Sequence, residues 1–196
     1  TEFKNSKDLL NISQSDIQNF NSFFIGPSYQ YNSFSKNNFR FFLKTAIGKR
    51  KKDQNTETQY QIDFSSSILT TITQRLSFYV KNTIGILFSD TYLYNEIFRL
   101  GGISNFRGFK EESIFTTKYS FFNTEFRYQT QKKSFLYTIF DIGHFTYQQN
   151  PQNLHSFGIG YLYDFKNNSI NISYTYSNHQ QPLERSFISL RFLTYF

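Results

Sequence analysis

Large apolar residues alternate with polar or small residues along nine segments of this chain, from about residue 23 to the last residue. In residues 157–165, for example, every second residue is phenylalanine, isoleucine or tyrosine, and the residues between them include two glycines and an aspartate. Successive side chains of a β-strand point to opposite faces, so this period predicts strands with one apolar and one polar face. The sequence therefore predicts an all-β, antiparallel fold.

Two all-β architectures are compatible with this alternation. A transmembrane β-barrel turns its apolar face outward to lipid and its polar face inward, whereas a soluble sandwich buries the apolar face. Segments of about ten residues suit strands that cross a bilayer, and Phe and Tyr concentrate at segment ends, as in interfacial aromatic girdles. The polar faces carry mixed charges, namely Lys81, Glu125, Arg127, Asp141 and Arg191. We therefore predict that residues 19–196 belong to an antiparallel transmembrane β-barrel.

The connections between the predicted strands alternate in length, which indicates their orientation. Short turns fall at residues 131–133 and 166–168. Longer loops are predicted at residues 48–58, 89–115, 146–154 and 178–184. Outer-membrane barrels have short periplasmic turns and long extracellular loops. With Phe196 at the periplasmic end, the predicted loop 89–115 is extracellular, and residues 1–18 are predicted to be a polar extracellular loop or tail.

An odd number of strands does not fit a bacterial barrel formed by this segment alone. Single-chain bacterial barrels have even strand numbers, and a lone open sheet would leave unpaired backbone groups in lipid. We therefore expect about nine strands here to be part of a larger barrel, whose remaining N-terminal strands are supplied elsewhere.

The charge balance limits the partners that the chain can have. The formal net charge is +7, with basic residues at Lys44, at 50–52 and at 132–133. Besides solvated loop charge, this predicts contact with anionic lipid head groups or lipopolysaccharide. A nucleic-acid partner is not expected, because the chain has no recognised nucleic-acid-binding motif.

No enzymatic or cofactor chemistry is predicted. His144, His155 and His179 lack the spacing of metal ligands, and the chain has no cysteine, so no metal or other cofactor is expected. No nucleophile or phosphate-binding motif is present. Glu125 and Asp141 resemble a glycosidase carboxylate pair only in residue type, and ion pairing is the favoured interpretation. We therefore predict a non-enzymatic protein.

The most specific segment is Leu100–Phe109, with the sequence LGGISNFRGF. Gly101 and Gly102 can adopt backbone angles with positive φ, which favours a sharp turn. Arg107 lies between two phenylalanines, an unusual setting for a charge in a solvated loop. A guanidinium in a crowded aromatic setting usually has a carboxylate partner, so we expect an acid on a neighbouring strand.

These residues resemble the outer-membrane assembly-factor superfamily, which includes BamA-type insertases, TamA-type translocation factors, two-partner-secretion transporters, and relatives in mitochondria and chloroplasts. The family is marked by an arginine-glycine-phenylalanine motif in the sixth extracellular loop of a sixteen-strand barrel, and Arg107, Gly108 and Phe109 match it. A second mark is an aspartate two residues before a glycine on the second strand after that loop. Asp141 and Gly143 match this mark.

A third mark of the family is a glutamate on the strand between, which Glu125 matches. The resemblance implies that the loop folds back into the lumen, where Asp141 and Glu125 hold Arg107 as a lock. The chain would then be the C-terminal half of the barrel. Phe106 departs from the pattern, because the family usually has a β-branched aliphatic residue before the arginine; this leaves the subfamily open.

The C-terminal residues 189–196 resemble an outer-membrane targeting signal. Leu190, Phe192 and Phe196 occupy alternate positions that would face lipid, and the chain ends on phenylalanine. The resemblance implies that an assembly machine recognises this strand. The simpler interpretation is a closing strand, and the two interpretations are compatible.

The resemblance implies a protein of the bacterial outer membrane, or of the outer membrane of an organelle, that inserts β-barrel proteins or translocates polypeptides. Its expected partners are membrane lipids and lipopolysaccharide, unfolded polypeptide, and accessory assembly subunits. The alternatives are a two-partner-secretion transporter and the barrel anchor of a patatin-like lipase. A passive porin is disfavoured, because porins lack the arginine and aspartate of the predicted lock.

Overall fold

A computed structural model of the chain describes residues 20–34, 37–52, 55–147, 150–179 and 185–194. The regular structure in these ranges is all strand, and no described helix is long and apolar enough to cross a membrane. The strands are β1 (Asn21–Ile25), β2 (Ser28–Phe34), β3 (Asn37–Lys52), β4 (Asn55–Thr71), β5 (Leu76–Phe88), β6 (Phe98–Leu100), β7 (Ile114–Thr116), β8 (Lys118–Gln131), β9 (Ser134–Tyr147), β10 (Asn150–Phe165), β11 (Asn168–Ser177) and β12 (Ser186–Thr194).

Ten of the strands form one large antiparallel sheet, in the order β1-β3-β4-β5-β8-β9-β10-β11-β12, with β2 also paired to β3. The remaining strands, β6 and β7, form a separate two-stranded ribbon. The predicted all-β, antiparallel fold is therefore confirmed. In the part of the chain that the structure describes, no pairing joins β12 to β1 or β2, so closure into a barrel stays a prediction.

The first of the predicted strands is divided into β1 and β2 at Gly26 and Pro27. Both halves pair with β3, and the carbonyl of Pro27 accepts a hydrogen bond of 3.2 Å from the amide of Thr45. Proline cannot donate to the ladder, and a Cβ at Gly26 would lie 1.9 Å from the Thr45 oxygen. The chain therefore bends at this point, where β3 approaches too closely for a side chain.

Two of the predicted loops are instead ends of long strands. β3 continues to Lys52 and β4 begins at Asn55, and β9 continues to Tyr147 and β10 begins at Asn150. The predicted loops 48–58 and 146–154 are therefore wrong. These residues are mostly polar or charged, so they lack the apolar alternation from which strands were predicted. They nevertheless pair with residues of the neighbouring strand, and these cross-strand pairs maintain the ladder. The predicted tail 1–18 and the terminal Phe196 lie outside the described residues.

The two faces of the sheet differ in the way that the sequence predicts. Large apolar side chains are exposed on one face, which we call the outer face; Phe140 is 51% exposed and Ile159 58%. On the opposite, inner face, buried residues include Asp141, Ser156 and Ser173. The segment between β5 and β8 packs on the inner face.

Candidate functional site

The connection between β5 and β8, residues 89–117, forms a folded unit that we call the inserted segment. The sequence predicted it over 89–115, close to the observed limits. The ribbon of β6 and β7 forms its stem, and Leu100, Phe106 and Phe109 of this segment join an apolar cluster with Phe121 of β8 and Phe145 of β9. The segment therefore carries its own share of the buried core, unlike a solvated loop.

The turn that carries Arg107 depends on glycine. Gly101, Gly102 and Gly108 have φ values of 112°, 93° and 85°, in the region that side-chain-bearing residues rarely adopt. The Gly102 amide donates to the Phe109 carbonyl at 3.0 Å, which closes the turn. The side-chain oxygen of Asn105 accepts from the Gly101 amide at 2.7 Å and stabilises its interior.

Arg107 points from this turn onto Asp141 of β9. Its Nε donates to Oδ2 at 2.9 Å, its Nη2 donates to Oδ1 at 2.6 Å, and its backbone amide also donates to Oδ2 at 3.0 Å. Arg107 is 7% exposed and Asp141 is fully buried. Paired, parallel hydrogen bonds between a guanidinium and a carboxylate fix orientation as well as distance. The contact that the sequence predicted is therefore present.

Glu125 of β8 is the second acid at Arg107. It accepts a hydrogen bond from Nη1 of Arg107, and its other oxygen accepts one of 2.7 Å from Nε of Arg127. Burial alone would lower the pKa of the Arg107 guanidinium. The hydrogen bonds and charges of Asp141 and Glu125 outweigh burial and raise that pKa above its ordinary value, so Arg107 stays charged.

Small residues of the sheet make room for the turn. A Cβ at Gly108 would lie 2.6 Å from the Cβ of Ser156, and the Ser156 hydroxyl donates to the Arg107 carbonyl at 2.6 Å. At Gly143, a Cβ would lie 2.7 Å from both the Phe121 Cβ and the ring of Phe145. Gly143 therefore allows the close packing of the aromatic rings beside Asp141.

Phe106, the departure from the family pattern, fills an aromatic pocket and is 0% exposed. Its ring centroid lies 5.3 Å from that of Phe109, 5.5 Å from Phe121 and 4.9 Å from Phe145. Edge-to-face and tilted contacts at these distances stabilise beyond the area that they bury. The large residue before Arg107 is therefore accommodated by rings from β8 and β9.

A second buried ion cluster anchors the start of the inserted segment, and the sequence analysis did not find it. Arg50 of β3 is 2% exposed. Its guanidinium contacts Glu57 of β4 and Glu96 of the segment, each at 2.5 Å, and donates to the Thr91 hydroxyl at 2.6 Å. Gln59 donates to the other oxygen of Glu96 at 3.1 Å. The spacing of Arg50 and Glu57 would reveal the pair only if residues 48–58 were recognised as a hairpin.

The remaining predicted site residues lie elsewhere. Leu190 and Phe192 are on the outer face of β12, 70% and 58% exposed, at one edge of the large sheet. Phe196 lies outside the described residues. This strand pairs with β11 and lies apart from the Arg107, Asp141 and Glu125 contacts. Within the described ranges, no group of three or more histidines or acids could hold a metal ion.

The fold and the site define an all-β protein whose antiparallel sheet holds an inserted segment on its inner face through buried ion clusters. No model of a known protein family matches the chain, and no curated protein matches it significantly.

Proposed function

We propose that this chain is part of a transmembrane β-barrel of the outer-membrane assembly-factor type. The barrel would insert β-barrel proteins into the outer membrane, or translocate polypeptides, without enzymatic chemistry. Its partners would be membrane lipids and lipopolysaccharide, unfolded polypeptide, accessory subunits, and the strands that complete the barrel. The bacterial outer membrane is the proposed location, with an organelle's outer membrane as the alternative.

The observation that carries this proposal is the contact of Arg107 with Asp141 and Glu125 on the inner face. A loop that only connected two strands could leave its arginine in solvent, where an exposed ion pair contributes about 0–1 kcal/mol. Here the segment carries its charge across the sheet to two acids on different strands. That arrangement suits a folded-back loop that must keep one position against a barrel wall.

The distribution of apolar surface supports a membrane location. Along β11, for example, Ile172 and Tyr174 are 48% and 49% exposed, whereas Ser173 is 3% exposed. Contiguous exposed apolar surface of this extent is unfavourable in water. In a bilayer the same face would be buried in lipid, and the inner face would line a polar lumen.

Three consecutive serines provide a test of the membrane face. Ser66 lies on the outer face, opposite Phe41 of β3 and Asn82 of β5, whereas Ser65 and Ser67 line a groove on the inner face. The chain has no cysteine, so a single serine-to-cysteine variant introduces a unique thiol into it, which can be labelled with a charged maleimide in liposomes. Positions 65 and 67 should react and position 66 should be protected. Equal reactivity at all three positions would contradict a lipid-facing outer face.

An insertion assay tests the function itself. The full-length protein in liposomes should accelerate the folding of an unfolded outer-membrane protein, followed by the gel mobility of unheated samples. Arg107→Ala should slow this folding, while Arg107→Lys, which keeps the charge but loses the paired geometry, should fall between. Arg99→Lys is the control, because Arg99 is 39% exposed in its contact with Glu112 and lysine keeps a cation over the Tyr94 and Phe115 rings. The proposal is wrong if the parent protein gives no acceleration, or if Arg107→Ala accelerates folding as well as the parent does.

A further inference from the structure

One row of inner-face residues crosses the large sheet from β2 to β11, each residue paired with the next across adjacent strands. The row is Asn32, Arg40, Ser67, Lys81, Asn123, Asp141, Ser156 and Ser177. The tip of the inserted segment covers one half of it. Asn123 donates to the Asn105 carbonyl at 2.9 Å, and Asp141 and Ser156 hold Arg107. The other half of the row, from Asn32 to Lys81, is not covered by the segment.

This other half forms a polar groove of about 220 Å³, which we call the Arg40–Lys81 groove. Its lining includes the amides of Gln30 and Asn32, the hydroxyls of Ser65 and Ser67, and the two cations. None of the lining residues that the structure describes is an aspartate or a glutamate. Amides, hydroxyls and cations all donate hydrogen bonds, so the groove offers donors and positive charge without a compensating acid.

The two cations differ from the buried arginines of the same face. Arg50 and Arg107 each contact two carboxylates. In the described ranges, the ion pairs of the inner face involve Arg50, Arg107 and Arg127, and none involves Arg40 or Lys81. Lys81 is half-buried, and a cation withdrawn from water is stabilised when an anion approaches it.

The spacing of the two cations suits one oxyanion. Arg40 and Lys81 lie on β3 and β5 with β4 between them, so their backbones are about 10 Å apart at the usual strand separation. Both side chains are long enough to converge on a carboxylate from opposite sides. Ser67 lies between them in the row and can donate a further hydrogen bond to it.

We propose that the Arg40–Lys81 groove binds a carboxylate group carried by a polypeptide on the inner side of the sheet. The inference rests on the proposed function, because that function supplies polypeptide to this face. Lys81 lies in the middle of β5, whereas Arg40 is the fourth residue of β3 and Ser67 lies four residues before the end of β4; all three are on the inner face, away from the apolar outer face. In a barrel, lipid phosphates lie at the strand ends outside the wall, so an acidic polypeptide segment fits this position better than a lipid.

Calorimetric titration tests the proposal on the full-length protein in detergent. The probe is an unstructured glycine-serine peptide with two glutamates, and its matched control has glutamines instead. The glutamate peptide should bind, and the glutamine peptide should bind about tenfold more weakly or worse, given the usual strength of hydrogen bonds to charged groups. Arg40→Gln combined with Lys81→Gln should reduce glutamate-peptide binding to the level of the glutamine peptide.

Three controls separate this site from general charge and from misfolding. Arg191→Gln removes a half-buried cation from the inner face of β12, far along the sheet, and should leave binding unchanged. Arg40→Lys combined with Lys81→Arg keeps both charges and should keep most of the binding. Unchanged circular dichroism and thermal unfolding should show that the glutamine double variant is folded.

Several results would overturn the proposal. It fails if the glutamine double variant binds the glutamate peptide as the parent does, or if Arg191→Gln weakens binding equally. It also fails if inorganic phosphate or vesicles with lipopolysaccharide displace the peptide at comparable concentrations, because the site would then serve free or lipid phosphate. None of these binding measurements depends on insertion activity. A failed insertion assay together with intact peptide binding would therefore overturn only the proposed function.

Discussion

The Arg107 guanidinium and the Asp141 carboxylate are joined by hydrogen bonds of 2.9 Å and 2.6 Å, although 34 residues separate them in sequence. Asp141 belongs to a strand of the sheet and Arg107 to the segment that packs on it. The pair therefore fixes the position of the inserted segment relative to the sheet. Its contribution can be measured, because each partner can be removed separately.

Removing either partner of this pair should destabilise the protein strongly. We expect Arg107→Ala to lower the free energy of unfolding by about 3–5 kcal/mol, since the Asp141 carboxylate is left buried without a cation, and Asp141→Ala to lower it by less, since Arg107 keeps its contact with Glu125. The double variant should cost less than the sum of the two, since no lone charge remains at that pair. Urea titration of the four proteins in detergent measures this coupling. Strict additivity would show that the two residues do not interact.

Gly108 and Gly102 provide a matched pair of substitutions. Both have positive φ, so alanine at either position should cost about 1 kcal/mol or more in backbone strain. Only Gly108 faces the sheet at close range, where the new Cβ would lie 2.6 Å from the Ser156 Cβ. At Gly102 the nearest atoms belong to the flexible Glu111 side chain. We expect Gly108→Ala to lower the melting temperature more than Gly102→Ala does; equal shifts would mean that the turn does not press on Ser156.

Phe106 should contribute strongly to the packing of the inserted segment against β8 and β9. Phe106→Ala should lower the free energy of unfolding by about 3–5 kcal/mol, because it leaves a cavity among Phe109, Phe121 and Phe145. The control is Phe115→Ala, since Phe115 is half-buried and its ring lies beside Tyr94, at 4.8 Å, and below the Arg99 guanidinium, at 5.6 Å, away from the aromatic pocket of Phe106. Chemical denaturation followed by tyrosine fluorescence measures both. A similar small loss for both variants would contradict a packed aromatic pocket around Phe106.

The two ion clusters should hold the inserted segment independently. The contacts of Arg50 with Glu57 and Glu96 share no residue with those of Arg107, so their effects should add. Limited proteolysis of residues 89–117 measures release of the segment. We expect Arg50→Gln and Arg107→Ala each to increase cleavage, and the double variant to increase it by about the product of the two factors.

Arg99→Lys is the comparison for this experiment, because the contact of Arg99 with Glu112 is long, at 4.0 Å, and exposed, and lysine keeps a cation over the Tyr94 and Phe115 rings. Cleavage of that variant should match the parent. If Arg50→Gln alone released the segment as fully as the double variant does, the Arg107 cluster would not act as a separate anchor.

The sequence predicted much of the fold and part of the site. Alternation identified the nine segments and the polarity of their faces, because side-chain direction along a strand is a local property with a fixed period. It missed the strand ends at 48–58 and 146–154, since those residues pair without an apolar face to mark them. The acids at Arg107 were predicted because the order and spacing of these residues resemble a known family. No such resemblance indicated the partners of Arg50.

The sequence by itself determined which residues of each strand face the same way, and that an arginine between phenylalanines needs a buried acid. Only the tertiary structure decided which residues meet across strands. The row from Asn32 to Ser177 exists because the register of seven successive strand pairs aligns it. Whether a residue of that row is covered depends on where the inserted segment lies. Asp141 therefore has a partner in Arg107, while Arg40 and Lys81 line an open groove, although all three have inner-face positions that the local pattern alone could assign.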